Sequence, residues 1–144
     1  MTDSAPPSPR GYVLGADQGL ASDRPGLKAS AGSTGGQLTV FTVSVDGGPP
    51  RRTHTNEDES SYLFSGLLEV ECGGEEFEAA PGSFVFLPRK RPHTFRSVGG
   101  TARGLLIITP GGLENYFDAL HASLKTGDSS QVRAVQAEYG IRLS

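Results

Sequence analysis

Between residues 26 and 109 the chain repeats one pattern: short runs rich in β-branched and aromatic residues, each stopped by Gly, Pro or both. Strands at such short spacing specify an antiparallel sandwich or barrel. Gln37 to Val45 is the clearest run, with residue types that fit a pleated surface. Leu27 to Ser30 precedes it across the Gly-rich stretch Gly32 to Gly36, and the two read as a hairpin. Asp46-Gly47-Gly48-Pro49-Pro50 ends that strand. Leu67 to Cys72 and Glu75 to Ala80 flank Gly73-Gly74, which supplies the positive φ of a tight turn. Ser83 to Leu87 is apolar throughout and is expected to be a strand covered on both faces. Thr101 to Thr109 is the last long strand.

Past Pro110-Gly111-Gly112 the period changes. Leu113, Tyr116, Phe117, Leu120 and Leu124 form one apolar helical stripe. Gly127 stops that helix, Asp128 to Ser130 offers N-caps for a second, and Val132, Val135 and Tyr139 form its inner face up to Gly140. The fold class is therefore all-β with two short C-terminal helices that close one end of the barrel. At 144 residues and 35% hydrophobic content, the chain encloses one core. Residues 1–10, with Pro6, Pro7 and Pro9, are expected to be a flexible segment. Residues 11–144 are expected to be one domain, with the barrel at about 26–109 and a helical tail at 112–140.

A formal net charge of −3 argues against nucleic acid as a partner. Nothing near Met1 resembles a signal peptide, and no apolar stretch is long enough to cross a bilayer, so a cytoplasmic protein with no membrane partner is expected. The single cysteine, Cys72, allows no internal disulfide, fits a reducing compartment and reads as structural.

Chemistry concentrates in two stretches, Pro50 to Glu59 and Pro81 to Phe95. The first carries His54 and, five residues on, Glu59; the second ends a strand at Pro88 and starts the next at His93. Two neutral imidazoles and one carboxylate, with positions left open, suit a divalent transition metal. Alternation puts Ser61 and Leu63 on the face of Glu59, and Phe95 on the face of His93, so these three are candidate pocket lining. Glu57 and Asp58 read as surface carboxylates, and His121 as a surface or helix-packing residue. The run Arg89-Lys90-Arg91 is a solvated turn or, with Arg51 and Arg52, a positive field that draws in anionic or phenolate substrates.

These two stretches resemble the two motifs of the cupin superfamily. The first resembles H-x-H-x(3,4)-E-x(6)-G, with His54 as the second His, Glu59 as the Glu and Gly66 as the closing Gly. The second resembles G-x(5)-P-x-G-x(2)-H, read through Pro81-Gly82, Pro88 and His93. From about Gly26 to Ile141 the chain is similar to small single-domain cupins related to bacterial quercetin dioxygenases, which implies a jelly-roll β-barrel. The resemblance also implies a metal held by His54, Glu59 and His93, whether Fe, Mn, Ni, Cu or Zn. Arg52 stands where the family has its first His, and a guanidinium has no lone pair for a metal.

Two readings of position 52 stay open: a three-residue metal face, or an Arg52–Glu59 pair in a site without metal. The first suits an oxygenase acting on an aromatic or enolisable small molecule. A cyclase, isomerase or dehydratase acting on a polyketide-like intermediate fits either, with the metal as Lewis acid or absent, Arg52 stabilising an enolate and Glu59 or His54 as the base. A non-catalytic small-molecule-binding cupin ranks third. By the same resemblance the chain is expected to form a homodimer, with Gly11 to Leu14 as a short strand added to a partner's sheet.

Overall fold

The computed structural model describes residues 9–144, so residues 1–8 of the expected flexible segment lie outside the described residues. Elements are numbered along the chain. One sheet has the order β1 (Leu27–Ala29), β2 (Thr39–Val45), β9 (Ala102–Thr109), β4 (Asp58–Ser65) and β7 (Phe84–Leu87). The other runs β10 (Ile141–Leu143), β3 (Arg52–His54), β8 (His93–Ser97), β5 (Leu68–Cys72) and β6 (Glu75–Ala79). All their pairings are antiparallel, and the inner faces of the two sheets form the jelly-roll interior.

Alternation decides what each strand gives to that interior. Glu59 and Leu63 of β4 are buried, while Tyr62 and Phe64 are exposed, as the pattern predicts. Leu63, Leu68, Val70, Ala79, Leu87 and Ala102 make one core cluster. A second, of Leu106, Ile108, Leu113, Tyr116 and Ile141, extends to helices α2 (Glu114–Lys125) and α3 (Ser129–Glu138) through Phe117, Leu120, Val135 and Tyr139. Gly66 earns its place in the motif, since it has φ 82° and an added Cβ would stand 2.6 Å from the Ala102 Cα.

Four local expectations need correction. The Gly-rich stretch between β1 and β2 contains a one-turn helix, α1 (Ala31–Thr34), because Ser30 and Ser33 cap its start reciprocally and Gly35 ends it at φ 64°. Strand β7 lies at a sheet edge with Phe84 and Phe86 exposed, so its apolar run marks a strand without marking two covered faces. The α2 stripe holds as far as Leu120; in the last turn Ser123 is buried and Leu124 is 57% exposed. Gly11 to Leu14 is not a strand: the Tyr12 hydroxyl donates to the Lys28 carbonyl and shares a hydrogen bond with Ser33 Oγ, fixing the segment as irregular chain.

One strand and one buried residue carry too little signal to read in sequence. β10 has only three residues and follows Gly140 directly. Buried Glu114 accepts hydrogen bonds from the Ala31 and Gly112 amides and the Thr39 hydroxyl, tying the start of α2 to α1 and β2.

Candidate metal centre

The site is assembled across the two sheets. Glu59 comes from β4 of the first, Arg52 and His54 from β3 and His93 from β8 of the second. Register fixes the imidazoles: Arg52 is paired with His93, and His54 with Ile141 of β10. Lys90, held at φ 69°, donates its amide to the His54 carbonyl at 2.7 Å and so pins the turn before β8 to β3.

His54, Glu59 and His93 are buried, and each offers one ligand atom within 4.8 Å of the others. The imidazole rings are parallel, 2° apart in plane, with centroids at 5.4 Å. Glu59 Oε1 lies 3.5 Å from His54 Nε2 and 3.9 Å from His93 Nε2. Burial first, then Arg52, pushes the His54 pKa down to about 3 and that of His93 to about 4, with His93 also contributing at His54. Both imidazoles are thus neutral at pH 7, and their contacts with Glu59 are not ion pairs. Burial raises the Glu59 carboxyl above its ordinary range, against the pull of Arg52.

The donor set fits a metal ion on its own chemistry. Both nitrogens of His54 and of His93, and Glu59 Oε2, are buried without a hydrogen-bond partner of ordinary geometry. The Arg91 backbone favours the protonated form of His93, against burial and Arg52. Such orphaned groups cost about 1–3 kcal/mol each, a cost that coordination relieves. Donors on one first-row ion at about 2.1 Å stand roughly 3 Å apart, so the observed spacing is closed by small side-chain shifts.

Arg52 points inward. Its Nη2 is 3.8 Å from Glu59 Oε1, its Nη1 donates to the Pro50 carbonyl at 3.4 Å, and its guanidinium carbon stands 5.3 Å from the centre of the Phe95 ring. It also lines a cavity of about 350 Å³, together with Ser61, Leu63 and Phe95 as expected. The cavity lining includes Arg52 but not the three candidate ligands, so the guanidinium stands between cavity and cluster.

The other cations are largely committed. Arg89 grips both oxygens of Asp58, and Arg51 pairs with Glu71 at 2.9 Å, which accounts for two members of the supposed field. Glu57 is not the surface carboxylate the sequence suggests. It is half-buried, with Oε1 unpartnered and 4.0 Å from His54 Nδ1, facing the nitrogen that Glu59 does not. Its spacing of three from His54 was the available signal. His121 is exposed, and Cys72 is a free, half-buried thiol packed against the core and paired across the ladder with His93.

Fold and site together define a small double-sheet jelly-roll protein with a two-His, one-carboxylate cluster in its interior. Residues 39–109 match the Cupin_2 family, described as "Cupin domain", and the chain belongs to the cupin superfamily. No curated protein matches the sequence. Among solved structures, KdgF from Halomonas sp. is similar at 22% identity and a TM-score of 0.52, over 60% of this chain and 76% of that one. The cupin domain of Schizosaccharomyces pombe Cnp3 is similar at 18% identity and a TM-score of 0.49, over 55% of this chain and 60% of its own. DMSP lyase DddQ from Ruegeria pomeroyi DSS-3 is similar at 22% identity and a TM-score of 0.47, over 51% of this chain and 39% of its own. Among the described residues, no helix is long and apolar enough to cross a membrane.

Proposed function

We propose that this chain is a metal-dependent, oxygenase-like cupin enzyme acting on an aromatic or polyketide-type small molecule. His54, Glu59 and His93 hold a divalent transition metal. The carrying observation is the set of unpartnered imidazole nitrogens and carboxylate oxygen buried within 4.8 Å of one another. A bound ion would supply Lewis acidity and, if redox-active, a centre for dioxygen chemistry. The chain's own residues do the rest. Leu63, Val70, Leu87 and Phe95 exclude water from the substrate, Ser61 gives it one polar contact, and Arg52 faces charge that develops on it. Arg52 touches both the cavity and Glu59, so charge that develops on the substrate is felt at the cluster through it. The free thiol of Cys72 agrees with a cytoplasmic setting.

A second reading is favoured by the 3.8 Å approach of Arg52 to Glu59: a cyclase, isomerase or dehydratase in which that pair does acid–base work. Elemental analysis of protein purified without chelator, then titration with Fe(II), Mn(II), Ni(II), Cu(II) and Zn(II), separates the two. About one equivalent of metal, lost in His54→Ala, with O2 uptake on flavonols or other phenols, is the expected result. Metal without O2 uptake, or no metal under any condition, moves the assignment to the second reading.

A further inference from the structure

A guanidinium carries five N–H donors, and Arg52 uses few of them. Its one hydrogen bond is the long contact to the Pro50 carbonyl at 3.4 Å, and the nearest carboxylate oxygen, on Glu59, is beyond hydrogen-bond reach at 3.8 Å. The side chain is 16% exposed, so its free N–H groups meet only the solvent within the cavity, which a bound anion would displace. What it faces is the cavity, whose walls at Leu63, Leu68, Val70, Val85 and Phe95 are apolar. The other charged residues on that lining, Asp46 and Arg103, are exposed. An apolar chamber with one under-satisfied planar cation at its inner end selects an apolar molecule that ends in a single planar anion.

The same cation lies against the cluster. Its Nη2 stands 3.8 Å from Glu59 Oε1, one of three donors that lie within 4.8 Å of one another, and a fixed positive charge at that distance repels a divalent cation placed among them. An anion seated on Arg52 cancels that field.

We propose that the cavity is a receptor for small monocarboxylates with an apolar body, and that its occupancy and metal binding at His54, Glu59 and His93 favour each other through Arg52. The coupling rests on the metal-binding reading above, whereas the carboxylate site stands on the cavity alone. Linkage requires the two effects to be equal: the factor by which the carboxylate tightens the metal is the factor by which the metal tightens the carboxylate.

Calorimetric titration tests both halves. On metal-free protein, hexanoate and cinnamate are expected to bind about tenfold or more tighter than hexanamide and cinnamamide. Saturating cinnamate is then expected to tighten Mn(II) binding about fivefold or more, while cinnamamide leaves it unchanged. In Arg52→Met, acids and amides bind alike, Mn(II) binds tighter than to wild type without any probe, and cinnamate adds nothing. Equal binding of acid and amide to the wild type overturns the carboxylate site, and that comparison needs no variant to fold. Unchanged Mn(II) affinity under cinnamate, or coupling that survives in Arg52→Met because the carboxylate ligates the metal itself, overturns the role of Arg52. A protein that takes up no Mn(II) overturns the coupling, and the acid–amide comparison still decides the receptor.

Discussion

Burying two imidazoles without hydrogen bonds leaves a mark on the pH dependence of the metal-free protein. His54 and His93 titrate near 3 and 4 in the fold, against 6.5 for a free imidazole, because of burial and then Arg52. Between those values the unfolded chain binds protons that the folded chain does not, so stability falls as the pH drops from about 6.5 toward 4. Glu57 and Glu59, both raised by burial, work the other way, while Asp58, Glu114 and Asp128, held below the ordinary carboxylate range by hydrogen bonds, add to the loss as the pH falls. Urea midpoints measured from pH 7 to pH 4.5 are expected to decline, and His93→Gln to flatten the slope. Glu57 is a second test at this scale. Glu57 Oε1 and His54 Nδ1, both unpartnered, stand 4.0 Å apart; if they close to a hydrogen bond when metal binds, Glu57→Gln is expected to weaken Mn(II) binding about tenfold, read by calorimetry, with an unchanged circular dichroism spectrum. His54, Glu59 and His93 were legible in sequence because spacing and chemistry coincide there. Glu57 was not, since three consecutive acidic residues look alike until the fold sends Asp58 to Arg89, Glu59 inward and Glu57 to the imidazole.

The elements that matter most to the site are the short ones. β3 is three residues long and is held between β8 and β10, so the position of His54 depends on a strand whose sequence signal is almost nil. Ile141 is its anchor, 3% exposed and in the second core cluster. Ile141→Ala is expected to cost about 2–4 kcal/mol in chemical denaturation, and to weaken metal binding while Leu143→Ala, at an exposed position, does neither. Of the long strands, β4 and β9 were readable because alternation and burial agree, and β2 from its β-branched and aromatic residues. β7 and the end of α2 were misread for a common reason, namely that an apolar run reports hydrophobicity and not which neighbour covers it.

For the whole molecule, that same feature leaves an apolar outer face. Tyr62, Phe64, Phe84 and Phe86 are all exposed on adjacent strands β4 and β7, with Tyr62 paired to Phe84. We propose that a second copy of the chain covers this face, giving the homodimer that the sequence suggested. Sedimentation equilibrium is expected to give a dimer, and Phe84→Ser with Phe86→Ser a folded monomer; a monomeric wild type removes the proposal. The jelly roll itself was legible from the short strands and their breaks, whereas the strand order was not, because pairing joins segments far apart in the chain. The junction of β3 with β8 and β10 is the extreme case. Contacts so distant in sequence are expected to form late, after the costly loops between them have closed. An ion captured there would act on the lifetime of the native state, slowing its unfolding, and leave the speed with which the chain first finds its fold almost untouched.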